Sequence, residues 1–124
     1  MPNYTLSFEL RPGYLYACVK CETQTVKLSD EYLVEIVAKC REVHCHRLLL
    51  EKDIAEPLSI AQLFLVAEHL ANMQVGHLKI AVLDRQSKHL EDNDFEIMAG
   101  NNRGINSQIF VDHTAAEEWL LSSS

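Results

Sequence analysis

Short apolar runs that alternate with helical patterns constrain the fold of this chain more than any other feature. Residues 48–50 read Leu-Leu-Leu and residues 80–83 read Ile-Ala-Val-Leu, with no polar position in either run. Unbroken runs of this kind are typical of strands that helices cover on both faces. The sequence therefore predicts central strands over residues 47–51 and 77–83, within an α/β protein whose parallel strands are joined by helices.

Two further strands are predicted at the start of the chain. Residues 4–10 and 14–21 have the composition of strands, and the Pro12-Gly13 pair between them is a strong turn signal. We therefore expect an antiparallel hairpin that precedes the parallel strands. A last strand is predicted over residues 108–111.

A helical period begins at Ser29. Asp30 and Glu31 would occupy the first turn and Lys39 and Arg41 the last turn, an arrangement that suits the helix dipole. The apolar positions recur at i, i+3, i+4 and i+7, and they are Leu33, Ile36, Val37 and Cys40. The pattern predicts an amphipathic helix that begins at Ser29 and buries one face.

The next helix has a clear start signal. Ser59 suits the N-cap position, Gln62 completes a capping box with it, and Leu58 with Leu63 forms a hydrophobic staple. The side chains assigned to the face that packs on the sheet are Ile60, Leu63, Phe64, Ala67, Leu70 and Ala71. A helix is therefore expected to begin directly after Ser59.

Two more helices are predicted in the C-terminal third. One begins at Asp92 or Asn93 and ends by Gly104, a residue suited to the left-handed position after a helix. The other opens with a capping box from Thr114 to Glu117 and packs Trp119 and Leu120 against the sheet. The expected order is ββαβαβαβα in one domain, a mixed and mostly parallel sheet flanked by helices, with the order of the strands left open.

Composition excludes several classes of partner and location. The formal net charge is −7 and the basic residues are scattered, whereas a protein that binds nucleic acid needs them clustered on one face. No window approaches the roughly 18 consecutive apolar residues of a transmembrane helix. Residues 1–8 read as a strand rather than as a signal peptide. We expect a soluble cytoplasmic protein that binds no nucleic acid and has no integral membrane segment.

Two groups of cysteine and histidine residues contain the side chains that could bind a metal ion. Cys18 and Cys21 have CxxC spacing but fall in a predicted strand, where side chains three positions apart point to opposite faces. A second group has the ligand types that zinc prefers but poor spacing, and it consists of Cys40, His44, Cys45 and His46. Cys40 would end a helix, while the other three would open the next strand. We expect free thiols, no metal site and no cofactor.

Short segments spread over the whole length of the chain share features with one known family. These segments are the initial hairpin, residues 48–50, the helix after Ser59, residues 80–82, residues 102–104, and residues 110–112 leading to Trp119-Leu120. In them the chain resembles the SpoIIAA-like (STAS-like) family of the STAS superfamily. The resemblance implies a SpoIIAA/STAS-like fold and a role in protein regulation.

In anti-sigma-factor antagonists of that superfamily, a serine at the start of the helix after the third strand is phosphorylated, and this switches binding to a partner kinase. Their junction has an Asp-Ser-Ser-Gly-like run, which residues 51–59 lack, and only Ser59 occupies a similar place. The resemblance therefore implies Ser59 as a phosphorylation candidate. The alternative is that Ser59 serves only as an N-cap.

No catalytic constellation is visible in the sequence. Asp112 beside His113 could form an acid–base pair, but we expect Asp112 to help cap the terminal helix and His113 to face solvent. The chain has no nucleophile elbow, no glycine-rich phosphate loop and no His-Glu metal helix. We expect a protein without enzymatic activity.

Two non-enzymatic functions remain. Leu65, Val66 and Met73 are left outside the sheet-packing face of the Ser59 helix, which favours a protein-interaction module that binds a protein partner or a second copy as a homodimer. The second hypothesis follows from the similarity of the SpoIIAA-like fold to CRAL-TRIO lipid carriers. A small apolar ligand or lipid would then occupy a pocket lined by Phe64, Phe95 and Met98, unless these side chains simply fill the core.

Overall fold

The chain begins with the predicted antiparallel hairpin, seen in a computed structural model that describes residues 4–56, 58–84 and 97–122. Strand β1 (Thr5–Arg11) pairs with β2 (Tyr14–Thr23), and Arg11 lies opposite Tyr14 across the turn. Gly13 has a φ of 87°, a left-handed conformation that most side chains disfavour. The Pro-Gly turn signal is therefore confirmed.

The hairpin turn requires a glycine at position 13, and a substitution can test this requirement. A Cβ at this position would lie 2.8 Å from Cδ2 of Leu121, and the left-handed φ adds backbone strain. We expect Gly13→Ala to lower the free energy of unfolding by about 1–2 kcal/mol. Urea denaturation followed by circular dichroism measures the change.

Gly100 provides the matched control for this prediction. It lies in a helical segment, residues 97–101, and a Cβ there would make an ordinary 3.6 Å contact with Ile105. Gly100→Ala should therefore raise the free energy of unfolding by about 0.5–1 kcal/mol. Equal shifts of the same sign for both variants would contradict the assignment of strain to Gly13.

The first helix starts three residues before its predicted beginning. Helix α1 (Val26–Glu42) has Thr25 as its N-cap, and the Thr25 hydroxyl accepts a hydrogen bond of 3.1 Å from the amide of Leu28. The prediction placed Asp30 and Glu31 in the first turn, and this is wrong because the hydroxyl of Thr25 satisfies the helix start upstream. The predicted buried face and the basic last turn, Lys39 and Arg41, are confirmed.

The end of α1 also differs from the prediction. His44 has a φ of 54°, and the amide of Cys45 donates to the carbonyl of Cys40 at 3.0 Å, as in a helix that ends in a left-handed residue. The next strand therefore does not open at His44. Strand β3 (Arg47–Glu56) extends five residues beyond the predicted end because it stays paired with β2 as far as Thr23 and Glu56.

The capping box after β3 is confirmed. Helix α2 (Ile60–Ala71) has Ser59 as N-cap, whose hydroxyl accepts from the Gln62 amide at 3.3 Å while the Gln62 side chain accepts from the Ser59 amide at 3.0 Å. Strand β4 (Lys79–Asp84) follows, and all of its residues are buried. This agrees with the unbroken apolar run that predicted a central strand.

The C-terminal third is described from residue 97 onward, so the predicted helix start at Asp92 or Asn93 lies outside the described residues. Residues 97–101 are helical, and strand β5 (Asn106–Phe110) and helix α3 (His113–Leu121) complete the chain. The N-cap of α3 is Asp112, which accepts from the Ala115 amide at 3.1 Å. The predicted capping role of Asp112 is therefore confirmed, whereas the predicted helix start at Thr114 is wrong, since the carboxylate of Asp112 binds the first turn two residues earlier.

The described strands form one sheet in the order β1-β2-β3-β4-β5, antiparallel between β1 and β2 and parallel elsewhere. Because each parallel connection moves to the next strand in the same direction, right-handed connections place their helices on one face. The predicted α/β fold with a mixed, mostly parallel sheet in a single domain is therefore confirmed.

Two separate apolar clusters hold the layers together. The larger core lies between the sheet and helices α1 and α2, and Ile97 of the helical segment 97–101 packs against it. The smaller core lies on the opposite face, where Ala116 and Leu120 of α3 contact Tyr14, Leu49 and Ala81 of the sheet. Among the described helices, the nine-residue α3 therefore covers the apolar part of that face.

Candidate functional site

The structure separates the three predicted interface residues. Leu65 is 42% exposed on the outer surface of α2, as expected, but Val66 is only 5% exposed and belongs to the larger core. Met73 is half-buried against the same core, and its carbonyl accepts a hydrogen bond of 2.7 Å from Arg41. Leu65 therefore remains the interface candidate, and Val66 does not lie on that surface.

The cause of this error is the rotation of α2. Its buried row is Leu63, Val66 and Ala67, and Leu70 packs against the same core. Ile60, which the sequence pattern placed on the packed face, is exposed instead. The predicted row, which includes Ile60, and the observed row, which includes Val66, both have helical spacing. Only the way in which α2 lies on the sheet distinguishes them.

The predicted apolar-ligand residues do not form one pocket in the described part of the chain. Phe64 is half-buried, and the guanidinium of Arg103 lies 5.7 Å from the centroid of its ring. Met98 is exposed on the 97–101 segment. Phe95 lies outside the described residues.

An apolar cavity does exist in the larger core. Its volume is about 60 Å³, and it is lined mainly by aliphatic side chains of the sheet and of α1 and α2, together with Ile97, Gly100 and Ile105. Neither Phe64 nor Met98 lines it. Ligand pockets usually enclose about 300–1,000 Å³, so this cavity has the size for a small apolar molecule rather than for a lipid chain.

Ser59 is exposed and engaged in the capping box. A phosphate on its hydroxyl would lie at a helix N-terminus, where negative charge is favourable, but it would replace the hydrogen bond from Gln62. Phosphorylation of Ser59 stays a prediction.

The two cysteines and two histidines at the end of α1 differ in burial. Cys40 is buried and Cys45 is half-buried against the larger core, whereas His44 and His46 are exposed. Burial raises the pKa of Cys40 to about 11, which disfavours the thiolate that zinc binds. Within the described residues, no group of three or more potential ligands is placed to hold a metal ion.

Sequence reasoning missed a polar network on the face that α3 covers. The Tyr16 hydroxyl donates to Oε1 of Glu51 at 3.0 Å, and Glu51 is almost completely buried. The guanidinium of Arg11 stacks 3.9 Å from the Tyr16 ring centroid, and its Nη1 donates to Nε2 of His113 at 3.2 Å. We refer to Arg11, Tyr16, Glu51 and His113 as the hairpin–helix network.

The network corrects the expectation for His113. Its ring is half-buried, lies 6.4 Å from the Tyr16 ring and accepts a hydrogen bond from Arg11. Because a guanidinium can only donate, Nε2 is the acceptor and the ring proton lies on Nδ1. The prediction that His113 faces solvent is wrong, since the start of α3 packs beside the hairpin.

A second contact joins the same two elements. The Tyr14 hydroxyl donates to Glu117 of α3 at 2.5 Å and accepts from Arg11 at 3.4 Å. One feature of the sequence indicates the hairpin–helix network. Glu51 directly follows Leu48-Leu49-Leu50 in a buried strand, and a carboxylate at such a position needs polar partners.

Several tyrosines and cysteines have a pKa raised above its ordinary value, which disfavours the ionised, reactive form of these side chains. Burial and the hydrogen bond to Glu51 raise the pKa of Tyr16, and burial raises the pKa of Cys21. A hydrogen bond to Glu35 raises the pKa of Tyr4 to about 12. Nucleophiles and general bases usually require shifts toward neutrality, so these side chains are suited to hydrogen bonding and packing.

The Tyr16 hydroxyl should contribute measurably to stability. We expect Tyr16→Phe to lower the free energy of unfolding by about 1 kcal/mol at neutral pH, because Glu51 loses a donor. The pKa of Tyr16 is raised in the folded state, so its contribution is complete below the ordinary tyrosine pKa of about 10 and is lost as pH rises through the folded pKa.

Urea denaturation of both proteins at several pH values tests this expectation. The difference between wild type and Tyr16→Phe should stay constant up to pH about 9 and shrink above pH about 10. A difference that grows with alkaline pH would contradict the assigned hydrogen bond.

In the part of the chain that the structure describes, no helix is both long and apolar enough to cross a membrane. Neither the models of known protein families nor the curated proteins give a match to this sequence.

Proposed function

We propose that this chain is a non-catalytic protein-interaction module that presents its helix layer to a protein partner and also associates with itself. The helix layer consists of the outer surfaces of α1, α2 and the helical residues 97–101. Membership in the SpoIIAA-like family, a cytoplasmic location and the absence of a nucleic-acid partner are parts of the same proposal. In this proposal the hairpin–helix network has a structural role, because it holds α3 against the hairpin.

The observation that carries the proposal is the set of large apolar side chains exposed on the helix layer. Val34 of α1, Ile60 and Leu65 of α2, and Met98 of the 97–101 segment all face solvent. None of them belongs to either core. Several exposed apolar residues on one layer favour an interaction surface, because solvent contact with such side chains is unfavourable.

The experiment places a photo-crosslinking amino acid at Leu65 in the native cell. A partner on the helix layer should give a discrete crosslinked product from this position. Val111 is the matched control, since it is also apolar and exposed but lies between β5 and α3 rather than on the helix layer. No discrete product from Leu65, or the same products from both positions, would refute the proposed surface.

A second candidate function rests on the apolar cavity in the larger core. We propose binding of a small apolar ligand there as the alternative, of the CRAL-TRIO-like type, although the predicted lining residues Phe64 and Met98 do not line this cavity. Native mass spectrometry of the purified protein, together with an organic extract, tests it. A stoichiometric organic adduct would favour this alternative, and protein that carries no adduct would reject it.

A further inference from the structure

Strand β1 forms one edge of the described sheet. It is the first strand of the sheet and pairs with β2 over all seven residues, and no other described strand pairs with its outer side. Thr5, Ser7, Glu9 and Leu10 are exposed along it. Such an edge presents unpaired backbone donors and acceptors to any strand that approaches.

The edge lacks the usual protection against pairing. No proline or lysine lies within residues 5–11, and the register with β2 runs from Thr5 to Arg11 without a bulge. The charges of the strand, Glu9 and Arg11, lie on one face and pair with each other at 3.2 Å. Leu10 is 63% exposed on the opposite face, beside the half-buried Leu6 and Phe8 that pack against the larger core.

The pattern of β1 suits a second copy of the same strand. In a two-fold antiparallel pair, all seven residues find a partner when Phe8 lies opposite the Phe8 of the other copy. Leu6 then faces Leu10 of the other copy, so the exposed Leu10 is covered by an apolar neighbour. The apolar faces of both sheets continue into each other because the register keeps residues of the same parity opposite one another.

The other face of the strand is compatible with the same register. Ser7 lies opposite Glu9 of the other copy and Thr5 opposite Arg11, so no like charges meet directly. A symmetric contact of this kind closes as a dimer and does not grow into a fibre.

We propose that two copies join through antiparallel pairing of β1 edges, with Phe8 at the two-fold axis, to form one continuous ten-stranded sheet. The inference goes beyond the proposed function, because it assigns self-association to the sheet edge and leaves the helix layer free for another protein. The two surfaces can therefore be tested independently.

Analytical ultracentrifugation over a range of concentrations is the first test. Wild type should reach the mass of two chains, and Leu10→Lys should stay a monomer because it places two charges into the paired edge. Leu65→Lys, which adds the same charge to the helix layer, should still dimerise. Circular dichroism and urea denaturation verify that both variants remain folded.

Disulfide trapping tests the register. A mixture of Ser7→Cys and Glu9→Cys proteins should give a covalent dimer under mild oxidation, since these two positions face each other in the proposed pair. Either variant alone should crosslink far less, because positions 7 and 7, or 9 and 9, are then separated by two residues along the strand. Wild type under the same conditions controls for the four natural cysteines.

The outcomes distinguish the two proposals. A dimer that Leu65→Lys abolishes and Leu10→Lys preserves would overturn the β1 assignment while supporting the helix layer as an interface. A wild type that stays a monomer at all concentrations would overturn the β1 pairing, while the crosslinking experiment at Leu65 would still decide whether the helix layer binds a partner.

Discussion

Truncation of Leu120 to alanine will lower the free energy of unfolding by about 3 kcal/mol, within the range of 2–5 kcal/mol seen when a buried leucine is removed. Leu120 is fully buried in the smaller core, in the same cluster as Leu49, Ala81 and Leu83 of the sheet. Because α3 covers this face alone among the described helices, none of the other described helices is placed to fill the space that the truncation leaves.

The neighbouring residue provides a matched control. Leu121 is 40% exposed and lies outside the smaller core, so Leu121→Ala should cost less than about 1 kcal/mol. Urea denaturation with a common slope for all variants gives both values. Equal losses for the two variants would show that α3 docks in another orientation.

Replacement of Lys79 by methionine should cost about 2 kcal/mol, because it removes a charged donor from the end of α3. The ammonium of Lys79 donates to the carbonyl of Trp119 at 2.6 Å, and to the carbonyl and hydroxyl of Ser122 at 3.0 and 3.1 Å. It also lies 4.6 Å from the centroid of the Trp119 ring. A cation at the C-terminal end of a helix is favourable, and methionine keeps most of the apolar stem while losing the charge.

Lys39→Met serves as the control for this effect. Lys39 forms a partly exposed ion pair with Glu42 at 3.3 Å, and such pairs contribute at most about 0.5–1 kcal/mol. Hydrogen exchange adds a local readout, since Lys79→Met should increase the exchange of α3 amides selectively. An unchanged exchange rate in α3, together with unchanged stability, would show that Lys79 does not hold the helix.

Together these contacts explain how one short helix stays on the sheet. Arg11 and His113 connect its beginning to the hairpin, Tyr14 binds Glu117 in its middle, and Lys79 binds the carbonyls at its end. The apolar contribution comes from the smaller core between these polar contacts. The stability of α3 is therefore expected to depend on both kinds of contact, and each can be removed separately.

The candidate surfaces follow from the layered arrangement. Connections that run in one direction place α1 and α2 on one face, so their outer surfaces form a common helix layer, while β1 remains at the edge of the sheet. The same topology therefore produces both the apolar exposure at Leu65 and the open strand at Leu10. Neither Leu65 nor Leu10 belongs to a described core.

Local signals in the sequence determined the elements whose causes lie within a few residues. Pro12-Gly13 specified the hairpin turn, Ser59 and Gln62 specified the start of α2, and the apolar run in β4 specified a buried strand. Each depends on hydrogen bonds or backbone conformations between near neighbours, which the order of residues is sufficient to define.

Only the tertiary structure decided the features that depend on distant partners. Val66 rather than Ile60 is buried because both rows of α2 have helical spacing and the sheet selects one of them. Strand β3 continues to Glu56 because β2 pairs with it, although three charged residues, 51–53, follow Leu50 in its sequence. Arg11 and His113 are separated by 102 positions, and no local rule relates them. Their contact exists because α3 packs on the sheet beside the hairpin, so its physical cause is the packing of the layers rather than the preference of any short segment.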